Sequence, residues 1–286
     1  MERALVIGYG QLGRALEGEL MGRRISCLVV ERSALELAEP ERIPERLAGL
    51  VGPGTVVFLT AAFTNVDRAE GEQRLAVRVN GVAPGVVAQA VAQAGGRLVF
   101  FSTDYVFGHG HREPIPPEVD PSPLSVYGLS KLIGELAAKA ADPGCLIIRL
   151  SGLFGAGKNF VRTVWERLRA GEVVRIVDDQ TTRLTSARVA AWASVELAWR
   201  GRRGVWQVGL RGERSWFGYG RLIAGLSGAD PELVVPITSR ELNRPAERPN
   251  YSVLDISRTE VELGPFPRVE DEVGAYLREL ESGATG

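Results

Sequence analysis

Ala4-Leu5-Val6-Ile7-Gly8-Tyr9-Gly10-Gln11-Leu12-Gly13 carries the reading on which the fold turns. Four apolar residues, enough for a short buried strand, break into a glycine-spaced loop and then into the helix-forming stretch Gln11–Met21. Glycine lets a backbone turn tightly after a strand, approach an anion and let the next helix pack close. The helix N-terminus then faces the bound phosphate. The spacing Gly8, Gly10, Gly13 between strand and helix is therefore read as a dinucleotide loop, with Gly8, Gly10, Gln11, Leu12 and Gly13 as cofactor-binding residues.

Working outward, the pattern repeats. Ile25–Val30, Thr55–Leu59, Leu98–Phe101 and Leu146–Arg149 are further short apolar runs of the kind buried parallel strands require. Helix-like stretches lie around Asn80–Ala94 and Ser125–Ala140. Alternation of this kind predicts an α/β fold, a doubly wound parallel sheet of Rossmann type with helices on both faces. Ligands in such sheets bind beyond the carboxyl ends of the strands, where the polar motifs fall. Glu31 ends the second run, eighteen positions after Gly13. Its carboxylate suits ribose hydroxyls and favours NAD, whereas adjacent Arg32, or Arg14 after the last glycine, suits the 2′-phosphate of NADP. Either cofactor is compatible with the sequence.

After Ser151 the rhythm changes. Val174–Val177 and Val205–Val208 still read as strands, Pro231–Tyr251 as an irregular, proline-rich surface region, and Val269–Leu280 as a closing amphipathic helix. Residues 1–150 are expected to form the nucleotide-binding domain. Residues 151–286 are expected to form mainly a smaller substrate-binding lobe interleaved with it.

Composition excludes several classes. Of 286 residues, 45% are hydrophobic and 24% charged, and the formal net charge is −1, so the chain is globular and carries no global field for nucleic acid or anionic membrane. Its apolar runs are too short to span a bilayer, and Met1–Ile7 is too short for a secretory core. Cys27 and Cys145 stand in no metal-ligand spacing and read as small buried hydrophobes in a reducing, cytoplasmic setting. His109 and His111 lie in a glycine-rich loop without matching ligands, and no metal site is expected.

Two further motifs carry chemistry. In Tyr127-Gly128-Leu129-Ser130-Lys131, a tyrosine and a lysine share one helical face. A unit charge about 4 Å from the phenol, worth roughly 4 kcal/mol at an effective dielectric of 20, would lower its pKa by up to roughly three units. That would make Tyr127 a usable proton donor, and the same ammonium could hold a ribose. Ser102-Thr103-Asp104-Tyr105-Val106-Phe107-Gly108 leaves the preceding strand and offers hydroxyls to orient a carbonyl oxygen.

Together these segments resemble the extended short-chain dehydrogenase/reductase superfamily and, within it, the dTDP-4-dehydrorhamnose reductase family. The likeness runs in order from Val6 to about Leu254. It includes Ala61-Ala62-Phe63-Thr64-Asn65-Val66-Asp67-Arg68-Ala69-Glu70, Val79-Asn80, Gly134-Glu135, Arg149 with Ser151, Asn159-Phe160, Asp179-Gln180, and Arg248-Pro249 with Ser252 and Leu254. The resemblance implies Thr103, Tyr127 and Lys131 as the catalytic set. It implies Ala61, Ala62 and Asn80, with Tyr127 and Lys131, beside the cofactor, and Thr64, Val66, Asp67, Asp104 and Tyr105 beside a nucleotide-linked sugar. A related dehydratase would usually have Asp-Glu after the threonine; Asp104-Tyr105 fits simple carbonyl reduction.

Three departures stand out. The glycine loop is one residue shorter than the family's, Gly152 replaces a tryptophan expected at the sugar, and Thr182-Arg183-Leu184-Thr185 replaces Gly-x-Pro-Thr. The same resemblance extends to the non-catalytic regulatory subunit of methionine adenosyltransferase, which is the alternative reading. A homodimer is compatible with either.

Overall fold

The computed structural model describes residues 3–283. Six strands form one parallel sheet. Five come in sequence: β1 (Arg3–Ile7), β2 (Ser26–Val30), β3 (Thr55–Leu59), β4 (Arg97–Thr103) and β5 (Leu146–Leu150). The sixth, Gly204–Gln207, comes from beyond Ser151, and the spatial order is β2-β1-β3-β4-β5 followed by this strand. The chain first steps outward from β1 to β2 and then crosses back to β3 on β1's other side. That reversal opens a crevice at the carboxyl ends of β1 and β3.

Alternation along the strands builds two cores. Val6, Val56, Phe58, Val99 and Ile148 face helix α1 (Gln11–Gly22) and the helix Ala187–Trp199. Leu5, Ile7, Val57, Phe100 and Ile147 face the helices Ala83–Gln93 and Val126–Ala141. Each face is covered, as a parallel sheet demands. The edge strand β2 is only partly buried, so Cys27 is half-buried, whereas Cys145 is buried as expected.

Helical backbone runs from Gln73 to Gln93, broken by a π turn over Arg78–Val82; the stretch is long and apolar enough to cross a membrane, yet half of it is buried inside the molecule. The segment Pro231–Tyr251 departs from its reading as surface coil. Val234–Ile237 pairs in parallel with Val174–Val177, and Ala246 is buried. Pro236 interrupts the apolar run yet sits in a two-stranded edge, where a missing N–H is tolerated.

Candidate active site

At the crevice, Gly8 has φ +104, and a Cβ there would meet the Ala61 backbone nitrogen at 2.6 Å. Gly13 lies under the loop, its would-be Cβ 2.1 Å from the Gly8 carbonyl oxygen, beside the buried Leu12. Gly10 is different: among the described residues nothing stands within 4 Å of a Cβ built on it, and no side chain caps the N-terminus of α1. The loop thus packs tightly on the protein side and leaves its outer side, with the uncapped helix end, open to an anion.

The adjoining cleft measures about 590 Å³ and is lined by Gly8, Gly10, Glu31, Arg32, Ala61, Ala62 and Thr64, among others. Such a volume suits a nucleotide. Glu31 makes no side-chain hydrogen bond among the described residues, whereas Arg32 Nε is engaged by Glu36 at 2.5 Å. Arg14 lies over the ring of Tyr9, 5.2 Å from its centroid, and with Gln11 lines a different cavity, beside Tyr276 and Glu272. Thr60, which sequence reasoning passed over, fastens the crevice by donating to the carbonyl oxygens of Ile7 and Gly8 at 3.0 and 2.9 Å.

Asn80 is buried on the π turn. Its Oδ1 accepts from the Phe63 N–H at 2.8 Å, and its Nδ2 donates to the Phe63 carbonyl at 2.9 Å and to Ser130 Oγ at 3.0 Å. Both ends of the amide are occupied within the protein, so Asn80 shapes the cleft through the Ala61–Phe63 backbone. Ser130 in turn donates to the Tyr127 carbonyl at 2.7 Å, linking the cleft wall to the tyrosine helix.

That helix, Val126–Ala141, starts where Ser125 Oγ accepts the Gly128 N–H at 3.2 Å and Glu70 accepts the Val126 N–H at 2.9 Å. Gly128 and Gly134 let it close on its neighbours: a Cβ at either would stand 2.1 Å from the carbonyl oxygen of Tyr105 or Asn80. Close approach sets the Tyr127 ring against that of Tyr105, edge-on with centroids 6.2 Å apart.

The expected effect of Lys131 on Tyr127 is not realised. Burial and the nearby Asp104 charge push the Tyr127 phenol up to about 12, and only the Thr103 hydroxyl opposes them. Lys131 Nζ rests 4.4 Å from the centroid of the Phe100 ring, and burial lowers its ammonium to about 7 against the attraction of Glu135. The shared helical face holds; the side chain turns inward, toward the apolar core.

Thr103 ends β4, accepting the Tyr105 N–H at 3.2 Å and donating to Asp104 Oδ1 at 3.1 Å. Asp104 is 4% exposed and also accepts from Ser252 at 2.6 Å and Thr182 at 3.2 Å. Burial raises its carboxyl to about 6 against these hydroxyls. Beyond the cleft, Thr64 precedes the helix Val66–Gly71, capped by Asn65 Oδ1 accepting the Arg68 N–H at 3.0 Å. On its first turn, Asp67 is held by Arg248 with two contacts of 3.0 Å. Despite the cost of burial, that guanidinium keeps the Asp67 carboxyl below its ordinary range. Gly152 has φ +49, and a Cβ there would meet Leu184 Cδ2 at 2.5 Å. A backbone constraint occupies the position where an aromatic contact was expected, and Leu184 fills the space beside it.

Comparisons agree with this geometry. Residues 2–282 match the family model of the RmlD substrate binding domain. A dTDP-4-dehydrorhamnose reductase of Mycobacterium tuberculosis is 38% identical over 88% of this chain and 84% of its own. The crystal structure of a dTDP-4-dehydrorhamnose reductase from Clostridium acetobutylicum superposes with a TM-score of 0.90 at 29% identity, covering 98% and 99% of the two chains. A Bacillus anthracis dTDP-4-dehydrorhamnose reductase solved in complex with NADP gives 0.91 at 27% identity, covering 98% and 100%. Sequence, fold and comparisons converge: the chain belongs to the dTDP-4-dehydrorhamnose reductase family, NAD(P)-dependent oxidoreductases built on a Rossmann-type sheet.

Proposed function

We propose that the chain reduces the C4 keto group of a dTDP-linked deoxysugar, using NADH or NADPH. The observation that carries this reading is that Thr103, at the end of β4, and Tyr127, on the helix packed over it, stand one strand across from a nucleotide-sized cleft. The open outer side of the Gly8–Gly13 loop and the uncapped end of α1 fit a pyrophosphate, with Glu31 at the adenosine ribose. The reduced nicotinamide supplies the hydride when bound. Tyr127 gives its proton to the ketone oxygen, Thr103 beside it orients that oxygen, and Lys131 holds the nicotinamide ribose by turning away from the Phe100 ring. Thr64, Val66, Asp67 and Tyr105, with the 244–252 segment, form the sugar side, so residues beyond 151 contribute the substrate lobe. With half of Gln73–Gln93 inside the core, a cytoplasmic enzyme is the fitting setting.

The reductase names of the relatives weigh against the regulatory alternative. Incubation with nicotinamide-deuterated NADH and dTDP-4-dehydrorhamnose should place deuterium on C4 of the sugar. Label at another carbon, or none, would contradict the reaction.

A further inference from the structure

Lys131 is a cation in an apolar place. Its side chain is buried against the Phe100 ring, and among the described residues it forms no hydrogen bond and no ion pair. One helical turn along, Glu135 is equally buried and stands on the same face. Its carboxylate is taken by another residue. Arg149 on β5 binds both oxygens, Nε to Oε1 at 2.9 Å and Nη2 to Oε2 at 2.8 Å. Arg149 is fixed in turn by the Pro117 carbonyl at 3.2 Å and by the Phe107 ring, whose centroid lies 5.0 Å from the guanidinium carbon. Two buried cations thus share one buried carboxylate.

Neighbouring elements bring other titratable or charged groups to this end of the helix. They are Asp104 and Tyr105 after β4, Glu70, Arg74 and Arg78 on the helical segments of residues 66–82, and Tyr127 on the helix itself; the helix Ala83–Gln93 brings none. Glu135 is the one whose charge acts on the ammonium, against the burial that lowers it to about 7. Held by both oxygens, Glu135 cannot bend toward Lys131. It acts through space and leaves all three N–H donors of the ammonium for a ligand. Side chains four apart on a helix stand about 6 Å apart, and a unit charge at that distance, at an effective dielectric of about 20, moves a pKa by roughly two units. The Arg149 charge behind it offsets part of this, leaving on the order of one unit.

We infer that Glu135, clamped by Arg149, is the positioning residue of Lys131: its fixed charge keeps the ammonium in the site, and the clamp keeps the carboxylate from drawing that ammonium away from the cofactor. The inference rests on Lys131 holding the nicotinamide ribose, as proposed above. It separates two effects that an unclamped glutamate would combine. Charge is supplied to Lys131, and contact is withheld, so the side chain is free to leave the Phe100 ring when a ribose arrives.

The test is the pH dependence of NAD+ binding, by titration calorimetry, in wild type, Arg149→Met and the paired variant Glu135→Gln/Arg149→Met, which removes both charges of the pair together. Wild-type affinity should fall as pH rises through the Lys131 titration, near 7. In the paired variant that fall should begin about one unit lower, so that NAD+ binds roughly fivefold more weakly at pH 7 and as in wild type at pH 5. In Arg149→Met, Glu135 is released to close on Lys131, which then stays charged to higher pH yet binds NAD+ more weakly. Equal weakening at every pH in the folded paired variant would make the pair merely structural and overturn the proposal. A second readout needs no ligand. The chain has three lysines, Lys131, Lys139 and Lys158, so 13Cε labelling follows Lys131 once Lys139→Arg and Lys158→Arg assign the others. Its titration should move down by about one unit in the paired variant and up in Arg149→Met. If wild type binds no NAD+, the ribose assignment fails and these titrations alone decide: a Lys131 titration unmoved in both variants, or moved the same way in both, would overturn the proposal.

Discussion

Both terminal nitrogens of Arg248 contact the carboxylate of Asp67 at 3.0 Å, across 181 positions of sequence. The Arg248 side chain is nearly buried, and Asp67 also accepts the Ala246 N–H at 3.3 Å. The pair pins the 244–250 segment to the helix that follows the cleft. Removing Asp67 leaves a guanidinium with little water to replace its partner.

Asp67→Asn should therefore destabilise the protein by roughly 1–3 kcal/mol at neutral pH, read by denaturant unfolding. Because the folded-state pKa of Asp67 is depressed, its contribution is present above its unfolded value of about 4 and is lost as pH falls through the folded one. The difference between wild type and variant should accordingly narrow on acidification. A gap that stays constant down to pH 2 would remove the ion pair as its cause.

Cofactor choice follows from Glu31 and Arg32. The carboxylate at the cleft would repel a 2′-phosphate, while Arg32 is engaged by Glu36. NADH should bind about tenfold or more tighter than NADPH, equivalent to about 1.4 kcal/mol. Glu31→Ala should narrow that ratio. Titration calorimetry with both cofactors decides it; a preference for NADPH would show that Arg32 or Arg14 governs instead.

The tyrosine helix tests the packing argument. A methyl group at Gly134 would lie 2.1 Å from the Asn80 carbonyl oxygen. Overpacking of this kind costs about 1–3 kcal/mol, so Gly134→Ala should lower Tm by several degrees and, through displacement of Tyr127, lower kcat. An unchanged Tm would mean that the helix has room the geometry denies it.

Much of this architecture was legible in the sequence because buried parallel strands are continuous apolar runs. Thr55–Leu59 matches β3 end to end, and the closing helix read as Val269–Leu280 extends one residue further, to Glu281. What local pattern cannot carry is a partner far along the chain. Ser252 lies 148 positions from Asp104, and nothing near either residue announces the other. Side-chain direction was equally silent: a four-residue spacing puts Tyr127 and Lys131 on one face, but the ring of Phe100 on β4 decides where the ammonium rests. Asn80 reads from the sequence as a residue beside the cofactor, but no local pattern shows that its amide bonds to Phe63 and Ser130 on the cleft wall.

The central claim, reduction by proton donation from Tyr127, is tested most directly by comparing wild type with Tyr127→Phe on dTDP-4-dehydrorhamnose, following loss of NADH absorbance. Phenylalanine keeps the ring against Tyr105 and removes only the hydroxyl. Wild type should consume one NADH per sugar, and the variant should bind cofactor as tightly but turn over roughly 10²–10⁴ times more slowly. A folded variant that retains most of the wild-type rate, or a wild type that binds NADH and oxidises none, would contradict the account.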